Sequence, residues 1–290
     1  MRGALGVTSH ELKDTISWGN NEPLAVILMT NPINPAGMPP EYVFPHSFRE
    51  FSQLIALQST RRGGISPGRY ASLNLGTNTE DSAENVHHNT LRLCSAIGID
   101  PDRMVSSLQV HGTEILVAEK PGRYQGFDAF ITDKKNLFLC IYTADCYPVL
   151  IFDPRHQAAG AVHAGWKGSA GRIVMKTVAA MQKNFNSIPA ECFAWIGTGI
   201  SAPAYEVGPE VAREFPPENW RRSSLPEEND TYMLDLSLAN CQQLLASGIP
   251  QSNIEQSRFC SFSDSDLFYS YRRDNGKTGR MVSLIGIRSL

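Results

Sequence analysis

The chain is 290 residues long, carries a formal net charge of −3, and holds seven histidines and six cysteines, the latter scattered at positions 94, 140, 146, 192, 241 and 260. That length supports one large α/β domain or two modest ones, with a core big enough to fold without disulfides or a structural metal. The mild negative charge and the absence of a Lys/Arg block argue against nucleic acid as a partner. The lack of any Cys-x-x-Cys pair excludes a zinc ribbon, and no stretch approaches the roughly 18 apolar residues of a membrane span. A soluble, cytoplasmic protein with no membrane partner is expected.

Residues 1–47 read as a loosely organised extension, interrupted by Asn31-Pro32, Asn34-Pro35 and Pro39-Pro40. Within it the apolar run Leu24–Met29 is either an edge strand or a start-site artefact, without the basic flank of a leader. Residues 48–290 show no composition break and no internal repeat, which predicts one intimately packed domain. A strand through Phe51–Leu57 leads into Ser59-Thr60-Arg61-Arg62-Gly63-Gly64. Paired glycines beside paired arginines suit a phosphate or carboxylate, and equally a solvated turn.

Asp81 is placed to cap a helix over 82–97 that Gly98 closes. Its adjacent His87 and His88 point about 100° apart and cannot share a ligand. Val105–Gln109 and Ile115–Ala118 read as strands, with Gln109-Val110-His111-Gly112-Thr113 at the break between them. A glycine after a histidine at such a break allows a bulge that aims the imidazole. Leu137–Tyr142 and Val149–Phe152 are short, branched and aromatic, as buried strands are, and they enclose the polar insert Thr143-Ala144-Asp145-Cys146. A third strand, Ala158–Val162, delivers His163 ahead of Ala164-Gly165-Trp166-Lys167-Gly168, so that Cys146 and His163 sit on ends of adjacent strands.

Ser169 is expected to cap a helix reaching about Asn184, with Ile173, Val174, Thr177, Val178 and Met181 as its buried face. The glycines at its start allow its N-terminus and Lys167 to meet an anion, and equally serve a close strand-to-helix turn. Beyond it, Phe193–Gly197 reads as a strand, Pro209–Glu214 and Leu236–Ala246 as helices, and residues 216–230 as an exposed loop. The tail, Leu267–Tyr271 and Met281–Ile287, reads as a hairpin with Arg272 and Arg273 near its turn.

One cysteine in an apolar strand is usually a small hydrophobe, and one histidine there a hydrogen-bonded core residue. His111, Cys146 and His163 together are a different matter, because two imidazoles and a thiolate suit a borderline-soft divalent cation and leave one tetrahedral position open. Asp145, beside the thiolate, is available to orient a ligand or move a proton. The same residues also admit a cysteine hydrolase, with Cys146 as nucleophile and a histidine as base.

Seven co-linear motifs resemble those of the laccase-domain family. They are Ser59-Thr60-Arg61 with Gly63-Gly64, Ser72-Leu73-Asn74-Leu75, Gln109-Val110-His111-Gly112, Thr143-Ala144-Asp145-Cys146-Tyr147-Pro148, Val162-His163-Ala164-Gly165-Trp166-Lys167-Gly168, Tyr205-Glu206-Val207-Gly208, and Tyr271-Arg272-Arg273-Asp274 with Thr278-Gly279-Arg280. That family was long labelled multicopper polyphenol oxidase and is associated with zinc-dependent purine nucleoside phosphorylase activity. The resemblance implies an α/β (α+β) fold of mixed buried sheets flanked by helices. It also implies zinc held by His111, Cys146 and His163, with His111, Asp145 and Cys146 at the centre of the chemistry. The implied reactions are phosphorolysis of adenosine, inosine and methylthioadenosine, and deamination of adenosine.

Partners are then a purine nucleoside and phosphate, and the protein a monomer or weak homo-oligomer. Phosphorolysis needs a cationic cradle beneath the anomeric carbon, for which Arg61, Lys167 and Arg273 are the candidates. Asn74 and Gln109, inside the shared motifs, are expected at the substrate. Two departures from the family pattern stand near the site: Thr198 replaces a usual proline, and Ala202–Ala204 lacks a cysteine. The oxidase label would put Cu2+ in place of Zn2+, but a multicopper oxidase needs paired His-x-His motifs, and the chain has none. The His-x-Glu and Cys-x-x-Cys signature of nucleobase deaminases is also missing.

Overall fold

The apolar runs in the middle of the sequence form strands buried on both faces, a packing that makes consecutive rather than alternate positions apolar. A computed structural model describes residues 38–223 and 230–289, which fold into three sheets and five helices. The first sheet has the order β1 (Tyr42–Val43), β2 (Leu54–Ser59), β15 (Met281–Ile287), β7 (Phe138–Thr143), β3 (Met104–Leu108), β5 (Gly122–Gln125). The second runs β14 (Ile254–Gln256), β10 (Phe193–Ile196), β8 (Tyr147–Asp153), β9 (Ala158–Ala164), β6 (Ala129–Thr132), β4 (Ile115–Val117). A small third sheet joins β11 (Glu206–Val207), β13 (Tyr232–Leu234) and β12 (Trp220–Arg222). The helices are α1 (Ala83–Ile97), α2 (Trp166–Ala170), α3 (Ile173–Phe185), α4 (Pro209–Ala212) and α5 (Leu236–Ala246).

Side-chain alternation along single strands shows how these elements layer. Leu139 and Ile141 of β7 pack against Leu150 and Phe152 of β8 and Ala159 and Ala161 of β9, so the two large sheets share one core. The intervening residues Phe138 and Cys140 turn the other way, onto Leu93, Cys94 and Ile97 of α1. On the far side Val149, Ile151 and Val162 meet Ile173, Val174, Val178 and Met181 of α3 and Leu244 of α5. The result is a four-layer mixed α+β stack of helix, sheet, sheet and helix. A Cβ at Gly160 would stand 3.0 Å from the Met181 sulfur, so the glycine lets α3 lie close on β9.

Several expectations match this architecture and several do not. The five residues predicted for the buried face of the helix after residue 169 are the buried residues of α3, and α5 has the predicted bounds. That earlier helix does not begin at Ser169, however, because Arg172 takes φ of 60° and separates α2 from α3. Ser82, not Asp81, caps α1; Asp81 accepts the Ser82 N–H instead. The strand expected over 51–57 is shifted to 54–59, and Phe51 lies ahead of it, its ring against Phe152 and Phe193.

The expected C-terminal hairpin does not form. β15 pairs with β2 and β7, while residues 261–274 gather around the Arg273 guanidinium, which donates to the carbonyls of Ser261, Phe262 and Phe268. The domain also starts earlier than residue 48, since Tyr42 and Val43 pair with Ser59 and Gln58. The Leu24–Met29 run lies outside the described residues. No helix among those residues is long and apolar enough to cross a membrane.

Candidate metal centre

Three connections cross from the first sheet to the second at one end of the stack, β3 to β4, β5 to β6 and β7 to β8, and the first and last each carry a ligand. Because β3 and β7 are parallel neighbours, their C-terminal ends leave the sheet side by side. The chain after β3 passes through His111 into β4, and the chain after β7 passes through Asp145 and Cys146 into β8. The break between the strands at His111 is therefore a sheet-to-sheet crossover and not the expected bulge. His163 arrives on β9, opposite Pro148 of β8 in the ladder.

These three residues converge. Cys146 Sγ lies 4.0 Å from His111 Nδ1, the two imidazole centroids are 4.7 Å apart, and one ligand atom from each residue falls within 4.8 Å of the others. Behind them sits Asp128, fully buried. Its Oδ1 accepts from His163 Nδ1 at 2.8 Å and from the His111 N–H at 3.0 Å. Its Oδ2 accepts from the N–H groups of Val110 and Gly112 at 3.1 and 2.8 Å. With Nδ1–H spent on Asp128, Nε2 of His163 keeps its lone pair for a cation. His111 and Asp145 hold φ of 58° and 87°, left-handed values that are costly for residues with a side chain and recur at functional sites.

The electrostatics favour a thiolate. Burial pushes the Cys146 thiol up, but the His163 and His111 imidazoles outweigh it and bring the thiol down to about 6. Burial works against charge on His163 too, and the Cys146 sulfur and Asp128 raise it to about 9. A cation would replace the proton shared by this cluster. Space has been kept for one: a Cβ at Gly165 would stand 2.8 Å from His111 Nδ1 and 3.0 Å from Cys146 Sγ. Two imidazole nitrogens and a thiolate around a bare Cα fit a zinc-like ion. Gly165→Ala is accordingly expected to weaken metal affinity by about 10–100-fold, the range for a disturbed ligand surround, as competition with a chromophoric chelator would measure.

The trio opens into a cavity of about 480 Å³, lined also by Gln109, Asp145, Tyr205, Tyr271, Arg272 and Arg280. Of the expected cradle, neither Arg61, Lys167 nor Arg273 lines it. Arg61 spends Nε on the Ala71 carbonyl and Nη1 on that of Ser265, lying over the Tyr269 ring. Arg273 pairs its Nε and Nη2 with Asp274 and its remaining donors with backbone carbonyls. Lys167 reaches back over its neighbour Trp166, and its α2 has only five residues. The physical reason is common to the two arginines: buried carbonyls of irregular loops need donors, and guanidinium supplies five.

Gln109 does line the cavity, but its amide pairs with both backbone groups of Tyr142 and so prolongs the β3–β7 ladder. Asn74 is fully buried behind the wall. Its Oδ1 accepts from Gly76 and Arg280 N–H at 3.0 and 2.9 Å. Asp145 lines the cavity with both oxygens engaged, by Ser261 Oγ and Arg272 N–H, each at 2.7 Å. At the Thr198 departure, the backbone N–H donates to Gln58 at 2.6 Å, a bond that a proline could not make.

Sequence reasoning missed Asp128 as the organiser and Arg272 and Arg280 as wall residues. Asp128 lies between the expected strands with nothing in the sequence to mark it, while the two arginines lie in the last motif beside Arg273.

A family described as multi-copper polyphenol oxidoreductase laccase matches residues 55–288. The chain belongs to this laccase family. Among its relatives, a purine nucleoside phosphorylase of Deinococcus radiodurans is 39% identical over 259 residues, covering 89% of this chain and 95% of that protein. One of Bacteroides thetaiotaomicron is 36% identical, over 83% and 94% of the two chains. The crystal structure of YlmD from Geobacillus stearothermophilus superposes with a TM-score of 0.79 at 33% identity, covering 86% of this chain and 96% of that one. The laccase fold is thus shared over nearly the whole described chain, and both of these sequence relatives are named purine nucleoside phosphorylases.

Proposed function

We propose that the protein is a zinc-dependent purine nucleoside phosphorylase acting on adenosine, inosine and methylthioadenosine. The observation that carries this reading is the convergence of His111, Cys146 and His163 on the wall of a nucleoside-sized cavity that also presents arginines. In the reaction the C1′–N9 bond breaks, an oxygen of phosphate bonds to C1′, and the proton of hydrogen phosphate ends on the departing purine. A zinc ion held by His111, Cys146 and His163 would supply Lewis-acid polarisation of a substrate oxygen or nitrogen.

The chain's own residues do the rest of the work. Asp128 orients His163 through Nδ1 and pins the 110–112 loop. Asp145 holds the backbone of Arg272. Tyr205 and Tyr271 give the cavity aromatic faces on which a purine can stack. With both carboxylate oxygens engaged, Asp145 serves better as an anchor than as the proton shuttle that deamination requires.

A thiol hydrolase deserves one test, because Cys146, His163 and Asp128 line up as nucleophile, base and orienting carboxylate. His111, on the other side of the sulfur, would then be idle. Copper oxidation has less support: among the described residues one three-ligand group is present, whereas coupled copper chemistry needs several ions. The deciding experiment is metal analysis of the purified protein joined to product detection with adenosine, with and without phosphate. About one zinc per chain and phosphate-dependent release of adenine are expected. Activity that survives full chelation, or phenol oxidation that scales with copper and no nucleoside cleavage, would overturn the reading.

A further inference from the structure

Two guanidiniums on the cavity wall are built differently from the other arginines that the loops use. Arg272 donates through Nη1 to the Glu206 carbonyl at 2.7 Å and lies over the Tyr205 ring, 5.4 Å from its centroid. Arg280 donates through Nη1 to the carbonyls of Thr278 and Gly279 at 2.8 and 2.9 Å and lies over the Tyr271 ring at 5.5 Å. In both, the Nε–Nη2 edge, which forks onto a tetrahedral or planar oxyanion, makes no hydrogen bond among the described residues. Arg61 and Arg273, in contrast, have spent Nε on the protein itself.

The charge is also left open. Burial works against the charge of Arg280, with Tyr271, Cys146 and Asp145 among the groups that favour it, and the Arg280 guanidinium has no carboxylate within ion-pair distance among the described residues. The same holds for Arg272, whose backbone N–H, not its side chain, engages Asp145. Arg272 is exposed, but Arg280 is partly buried, and withdrawing its guanidinium from water without such a partner is costly unless an anion arrives.

Both arginines are held in place from behind. Asn74 Oδ1 accepts the Arg280 N–H, and the Arg280 stem lies so close over Gly76 that a Cβ there would meet its Cγ at 2.6 Å. Asp145 Oδ2 fixes the Arg272 backbone beside Cys146.

We infer that Arg272 and Arg280 form the oxyanion subsite of this cavity, taking inorganic phosphate on their free Nε–Nη2 edges. Asn74 acts as the positioning residue for Arg280. This assignment rests on the phosphorylase reading for its ligand, but binding of the anion can be measured without turnover.

The test uses the zinc-loaded full chain with inorganic phosphate as the probe, by calorimetry and, where turnover occurs, by the KM for phosphate. Arg272→Gln and Arg280→Gln are each expected to weaken phosphate at least about 30-fold, in line with loss of a bidentate charged contact, while zinc content and the KM for nucleoside hold. Arg280→Lys, which keeps the charge but not the fork, falls between. Asn74→Ala should raise the KM for phosphate more than it lowers kcat, whereas equal losses in both would remove its positioning role.

Phosphate affinity unchanged in both glutamine variants, or no phosphate binding by the unaltered protein, overturns the inference. Ribose 1-phosphate should compete with phosphate and adenosine 5′-monophosphate should not; tighter binding of the nucleotide would overturn the assignment to free phosphate. If phosphate binds through these arginines but adenosine is never cleaved, the subsite stands and the phosphorylase reading fails.

Discussion

Cys146→Ala is expected to purify as a folded protein with under about a tenth of the unaltered metal content, and with phosphate-dependent cleavage reduced at least about 1000-fold. That factor corresponds to several kcal/mol of Lewis-acid stabilisation at 1.36 kcal/mol per decade. The fold should survive because the side chain is half-buried at a sheet-to-sheet corner, and its loss leaves the two-sheet core intact. Thermal unfolding in excess chelator, where metal no longer contributes to stability, should differ little between the two proteins. The comparison separates metal chemistry from thiol nucleophilicity. Cys146→His, which offers an imidazole in place of the sulfur, should retain measurable metal under the zinc reading and remain dead as a hydrolase. Full activity in Cys146→Ala would defeat both readings.

Asp128→Asn is the second large expected effect, and it acts without touching the ion. The carboxylate accepts four N–H donors, two on each oxygen. An amide in its place must turn an NH2 toward one of those pairs, opposing donor to donor in a fully buried position. The loss is expected at about 3–5 kcal/mol of folding stability, the cost of breaking a buried charged network. Metal affinity should fall about 10–100-fold, as for other ligand-orienting carboxylates.

The pH dependence has a definite sign. Burial raises the Asp128 carboxyl, but the His163 hydrogen bond and charge and the backbone N–H groups hold it below the usual carboxylate range. Its contribution is therefore complete above the unfolded value of about 4 and is lost as pH falls through the lower folded value. Urea unfolding of the metal-free protein between about pH 2 and 6 should show a shallower acid limb for Asp128→Asn. An unchanged limb would mean that the carboxylate does not carry this linkage.

What could be read without coordinates was whatever depends on local pattern. The runs 137–142, 149–152 and 158–162 announced strands because residues buried on both faces leave few polar positions, and they became β7, β8 and β9. The face of α3 was legible because a helix packed on a sheet repeats its apolar residues at 3.6. His111, Cys146 and His163 could be proposed together because thiol and imidazole in ordered motifs are rare enough to stand out, and tertiary structure brings them within one ion's reach.

Partnership over long sequence distances was not legible. Asp128 gains its role only when β6 lies beside β9 and the 110–112 loop folds over it. Three arginines of the same motif and its neighbour, Arg272, Arg273 and Arg280, look alike in sequence. Only the fold decides that Arg273 is consumed by carbonyls within its own loop while the other two line the cavity. Composition and periodicity determined individual buried strands and amphipathic helices, and the residue types of the motifs offered a soft ligand set, since both follow from residue chemistry taken a few positions at a time; the arrangement of sheets and helices was implied by the family resemblance. Which arginines line the cavity and which satisfy the backbone depends on tertiary structure, because a hydrogen-bond donor takes whatever unpaired acceptor the folded chain brings within about 3 Å.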